Sequence, residues 1–125
     1  MMDLNLSFDK SIIVKDFLDP NSNTYINSDS GEDRGLYFFF DENEEIIYIG
    51  WASYLHERIR EHIKGRSLNS KHFYNEIKTV KIIYSDSFEK LFNEYEDCND
   101  LEYYFIDKIK PKYNKMKSKK NAYKN

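Results

Sequence analysis

Tyr37 and Tyr48 each sit beside a glycine in a short apolar run, "GLYFFF" and "IIYIG", and the polar segment "DENEE" separates the runs. Arg58 and His62 stand four residues apart in "YLHERIREHIKG", a spacing that puts both on one helix face about one turn apart. Glu102 ends a stretch from Ile82 that holds seven acids and a single base, Lys90. Basic sequence lies on either side: seven Lys or Arg against three Glu from His56 to Lys81, and eight lysines with no acid from Lys108 to Asn125. An acidic element between two basic surfaces is compatible with phosphate binding near a carboxylate-bound metal. Each residue also has a plainer reading: tyrosines with a buried ring and wet hydroxyl, a glutamate favoured by a helix dipole, and lysines that only solvate a surface.

The rest of the chain bounds these possibilities. Its 125 residues fit one domain of ordinary size, and 40% hydrophobic, 33% charged and 17% aromatic content marks a globular type. Cys98 is the only cysteine, which excludes an internal disulfide and a cysteine-rich metal cage and fits a reducing compartment. The start, "MMDLNLSFDK", lacks the basic and apolar regions of a secretory signal, and no apolar run is long enough to cross a bilayer, so the cytoplasm is expected. A formal charge of −3 does not by itself mark a nucleic-acid binder.

Positioning the candidate residues requires a hairpin and two helices. "LYFFF" and "IIYIG" read as antiparallel strands, with Tyr37 and Phe39 on one face of the first and Ile46, Tyr48 and Gly50 on one face of the second. Ser53 is the expected N-cap of a helix whose apolar side is Leu55, Ile59, His62 and Ile63 and which stops at Gly65. "SKHFYNEI" reads as a short helical turn and "TVKIIY" as a third strand. "SFEKLFNEYE" and "LEYYFIDKIK" read as helices, the last capped by Asn99 or Asp100, ended by Pro111, and buried through Leu101, Phe105, Ile106 and Ile109. Residues 1–34 are expected to be a partly flexible extension, with "DKSIIVKDFLD" as a short helix, and residues 116–125 a basic tail. Residues 35–115 are the expected domain.

This order of elements resembles the GIY-YIG nuclease family. "GLY" and "YIG" match the two signatures, with ten residues between the tyrosines; Arg58 falls in the following helix, with His62 one turn on, and "LEYYFIDKIKPKYN" matches the family's glutamate, proline and asparagine at Glu102, Pro111 and Asn114. Many members carry a lysine directly after the second signature, where this chain has Trp51, and the stretch from Tyr84 to Glu102 is longer than in minimal members.

The resemblance implies an α/β (α+β) fold, with a small three-stranded antiparallel sheet flanked by helices, and a metal-dependent DNA endonuclease leaving 5′-phosphate and 3′-hydroxyl ends. Glu102 would bind Mg²⁺ or Mn²⁺, Arg58 would stabilise the phosphate, Tyr37 would act as general base and Tyr48 would position water or phosphate. An unperturbed phenol, with a pKa of about 10, is a poor base at neutral pH, so a nearby guanidinium and metal ion are needed to favour the phenolate. His62 would bond the phosphate or relay a proton, and Asn114 would hold the site. Trp51, Arg60, Lys64, Arg66, Lys71 and His72 are the candidates for contact with duplex or branched DNA. RNA is a possible substrate too, and the rival reading is a GIY-YIG fold that binds nucleic acid or protein without cutting.

Overall fold

The computed structural model describes residues 7–21, 34–85, 87 and 98–114, with the side chains of the last helix given from Glu102 onward. The centre is the hairpin of β2 (Gly35–Phe40) and β3 (Ile46–Ala52). Its turn is tied by Asp41: the side-chain oxygen accepts from the amides of Asn43 and Glu45 at 2.9 and 3.0 Å, and Glu44 takes a positive φ of 59°. The ladder slips between Phe39 and Phe40, which pair with Tyr48 and Ile46, so that Ile47 bulges. The expected alternation fails at that point. Ile46 packs on one side of the sheet, whereas Tyr48 lies on the other with Tyr37 and Phe39.

The sheet has four strands where the sequence suggested three, in the order β1-β4-β2-β3, with every neighbouring pair antiparallel. The expected third strand is β4 (Thr79–Tyr84). The additional one, β1 (Lys10–Ile13), comes from the segment expected to be an extension, and it runs directly into the five-residue α1 (Val14–Leu18). "KSII" satisfies the outer edge of β4, and Asp9 fastens it by accepting from the Tyr84 amide at 2.8 Å. A single helix across "DKSIIVKDFLD" would have left that edge unpaired.

Helices cover both faces. On one, α2 (Leu55–Ile63) buries Leu55, Ile59, His62 and Ile63 over Tyr37, Phe39 and Tyr48, as their helical spacing suggested. Its N-cap is Tyr54 rather than Ser53, without a side-chain cap bond, and Gly65 ends it at φ 72°. A 3₁₀ turn, Tyr74–Glu76, completes that side. On the other face α3 (Cys98–Ile109) packs Phe105 and Ile106 against Leu36, Phe38, Ile49 and Ile83. It starts before Asn99 and Asp100, which lie inside the helix rather than capping it. Lys110 at φ 54° and buried Pro111 end it. The "SFEKLFNEYE" helix and the side chain of Leu101 lie outside what is described. No helix among the described residues is long and apolar enough to cross a membrane.

Candidate active site

A cleft of about 430 Å³ is lined by Tyr37, Tyr48, Trp51, Arg58, Glu102 and Asn114, together with His72 and Asn69. Its walls come from both layers. Tyr37 and Tyr48 share the face covered by α2, which carries Arg58, whereas Glu102 arrives on α3 from the opposite face. The edge strand β3 is where the two sides meet, so the cleft bends around it.

Gly50 makes that meeting possible. It lies directly opposite Tyr37 in the ladder, and the Tyr37 ring crosses it so closely that an added Cβ would stand 2.3 Å from both Cζ and the hydroxyl oxygen. A side chain at Gly50 would block Tyr37 from reaching over β3. Gly35 has a comparable constraint, since a Cβ there would meet the Ile83 carbonyl oxygen of β4 at 2.3 Å. Both signature glycines are therefore needed for close approach within the sheet.

Tyr37 and Tyr48 stack with ring centroids 6.3 Å apart, and their exposures of 2% and 9% leave little more than an edge facing the cleft. The Tyr37 hydroxyl lies 2.8 Å from His62 Nε2, beside the Arg58 charge. Burial, then the neighbouring Tyr48, push the Tyr37 phenol above its ordinary pKa; Arg58 acts in the opposite sense. Tyr48 is pushed up by burial and by Glu102, with Arg58 acting in the opposite sense. His62 is wholly buried beneath the cleft, where burial and the Arg58 charge lower its pKa to about 3. It is thus neutral at pH 7 and reaches the cleft only through Tyr37. Arg58 pairs with Glu61 at 3.0 Å while lining the cleft.

Asn114 is fixed to the sheet. Its Oδ1 accepts from the Ile49 amide at 2.7 Å and its Nδ2 donates to the Ile49 carbonyl at 2.9 Å, a side-chain continuation of the ladder along the outer edge of β3. Beside it, the Tyr113 amide donates to Ile47 and its hydroxyl donates to Glu76 at 2.6 Å. Of the candidate nucleic-acid contacts, half-buried Trp51 and exposed His72 line the cleft. Arg66 lines an adjoining groove that shares Arg58, Leu68 and Asn69 with it. Arg60, Lys64 and Lys71 are exposed but line neither. Asn69, Ser70 and Tyr103 had no signal in the sequence, because a polar loop and a helix-surface tyrosine carry no period that marks contact with a distant strand.

The description "UvrC-like GIY-YIG domain" belongs to the family model that matches residues 33–115. The chain belongs to this family. UvrABC system protein C of Malacoplasma penetrans (strain HF-2) is 35% identical over 90 residues, covering 71% of this chain and 14% of that protein. Its counterpart from Fervidobacterium nodosum is 37% identical over 79 residues, covering 63% and 13%. The chain thus spans about one seventh of the length of these curated relatives. Among solved structures, the GIY-YIG N-terminal endonuclease domain of UvrC from Thermotoga maritima, a tyrosine-to-phenylalanine variant bound to its catalytic divalent cation, is similar with a TM-score of 0.50. It is 25% identical, and the match covers 68% of this chain and 86% of that one. The GIY-YIG tripeptides are thus the strands that form this cleft.

Proposed function

We propose that this domain is a metal-dependent DNA endonuclease that hydrolyses a phosphodiester bond to leave a 5′-phosphate and a 3′-hydroxyl. The observation that carries the reading is the convergence of Tyr37, Tyr48, Arg58 and Glu102 on one cleft from four separate elements and both faces of the sheet. Membership of the GIY-YIG family and the divalent cation held by the Thermotoga maritima domain support it.

The donor set fits a hard divalent ion. Among the described residues no three His, Cys, Asp or Glu side chains converge as a cage. One half-buried carboxylate in an open cleft suits Mg²⁺ or Mn²⁺, because Mg²⁺ commonly takes one or two carboxylates and keeps several waters. Glu102 would hold it, and the ion when bound supplies Lewis-acid stabilisation of the phosphate and the departing oxygen.

The chain's own groups do the rest. Arg58 presents a permanently charged planar fork to phosphate oxygens as charge grows on them. Tyr37 accepts a proton from the attacking water as its own hydroxyl proton passes to His62 Nε2, 2.8 Å away. Burial of Tyr37 opposes a free phenolate in the resting site, so the guanidinium beside it assists the transfer, as would the charge of an ion held by Glu102. Tyr48, in the cleft lining, aligns the water or phosphate, and Asn114 holds β3 rigid beneath it. Trp51 and His72 meet the substrate along the cleft, and Arg66 meets it in the adjoining groove. Trp51, where many relatives have lysine, favours the second reading, a domain that grips nucleic acid or protein without cutting.

The test is a panel of duplex, branched and single-stranded DNA, with matching RNA, incubated with Mg²⁺ or Mn²⁺. Intact protein should nick DNA, and Glu102→Ala and Arg58→Ala should not. Intact protein that binds the panel yet leaves every strand whole establishes the binding module instead.

A further inference from the structure

Ser70 is among the buried polar groups that the mechanism leaves unused. It is 0% exposed, and its Oγ lies 2.8 Å from His62 Nδ1 while donating to the His62 carbonyl oxygen at 3.3 Å. A serine hydroxyl has one proton. With that proton committed to the carbonyl, Oγ can only accept at Nδ1, which must then carry the imidazole hydrogen. Nε2 is left bare, facing the Tyr37 hydroxyl at 2.8 Å.

The surroundings of Tyr37 fit the same direction. The Arg58 charge beside its hydroxyl favours a proton that points away from the guanidinium, and His62 Nε2 lies within reach to accept it. Nε2 can take it only in the Nδ1–H tautomer. Only this direction lets Ser70, His62 and Tyr37 make all three bonds at once.

We infer that Ser70 is a positioning residue: by fixing His62 as the Nδ1–H tautomer, it turns the Tyr37 proton inward and leaves a hydroxyl lone pair facing the cleft. This rests on the nuclease reading, because a lone pair aimed at the cleft is what an acceptor of the water's hydrogen needs. Without Ser70, His62 is free to carry its hydrogen on Nε2 and donate to Tyr37. Tyr37 would then receive a hydrogen from His62 and would turn its own proton toward the water, the wrong polarity for accepting one.

The tautomer is measured directly by nitrogen-15 NMR of the imidazole in metal-free protein at pH 7.5, with His62→Gln to assign the signals. Wild type should show Nδ1 protonated and Nε2 bare. Ser70→Ala should populate the Nε2–H form and lower kcat about tenfold with KM unchanged, the loss of one hydrogen bond's alignment. Ser70→Thr, which keeps the hydroxyl, should restore both. A wild-type His62 protonated on Nε2 overturns the inference without recourse to any variant. So does a folded Ser70→Ala protein that keeps either the wild-type tautomer or the wild-type kcat. Wild type inert toward every substrate would refute the nuclease reading alone, since the nitrogen signals still decide the bond direction.

Discussion

Gly50→Ala is the smallest change that should separate folding from activity. The new methyl would stand 2.3 Å from the Tyr37 hydroxyl and Cζ, whereas ordinary contact begins at 3.4 Å, so the end of the ring must move by about 1.1 Å. Tyr37 has little room to yield, because its ring packs on Phe39 and Tyr48 and its hydroxyl is held by His62. Overpacking of this kind costs about 1–3 kcal/mol, which lowers Tm by roughly 4–12 °C in a domain of this size. Displacement of a reacting group by about 1 Å costs on the order of 100-fold in rate. Thermal unfolding followed by circular dichroism, and nicking of supercoiled plasmid with Mg²⁺ well below the new Tm, give the two quantities separately. In a Tyr37→Ala background the same substitution should cost almost no stability, because the clash is gone. A folded Gly50→Ala protein that nicks at the wild-type rate would refute the placement of Tyr37 at the reacting centre.

The remaining expectations use other contacts. Since His62 is held near 3 in the folded chain against about 6.5 when unfolded, the unfolded state binds the extra proton between those values. Stability is therefore complete above pH 6.5 and falls as the pH drops toward 3, by about 1.4 kcal/mol per pH unit; denaturant titrations from pH 7 to 4 should show this slope, and His62→Gln should flatten it. Arg58→Lys keeps the charge but loses the planar fork, so nicking should fall about 100-fold or more, while stability shifts by under about 1 kcal/mol because the Glu61 pair is solvent-exposed. Asn114→Ala removes both bonds to Ile49, each worth about 0.5–1.5 kcal/mol, and hydrogen exchange should speed at the Ile49 amide before it changes in β4.

Local signals were sufficient where one element decides the outcome. The aromatic runs around "DENEE", the helical spacing of Leu55, Ile59, His62 and Ile63, and Gly65 and Pro111 as stops are properties of short segments, and each has its counterpart in the fold. Tyr37, Tyr48, Arg58, Glu102 and Asn114 could be named from their order along the chain, because the order of elements fixes which strand and helix carries each. Three outcomes were beyond that reach. "KSII" became a strand because β4 offered it an edge, a partner invisible in the segment itself. The bulge at Ile47 changed the phase of β3 between Ile46 and Tyr48, which alternation by two cannot register. His62 and Ser70, eight residues apart, became a buried series with Tyr37 only when α2 packed over the hairpin. The sequence by itself determined which side chains are capable of the chemistry and which elements carry them. Only the tertiary structure decided that Glu102 approaches around the β3 edge while His62 is sealed beneath Tyr37, because burial and hydrogen-bond direction depend on which surfaces meet.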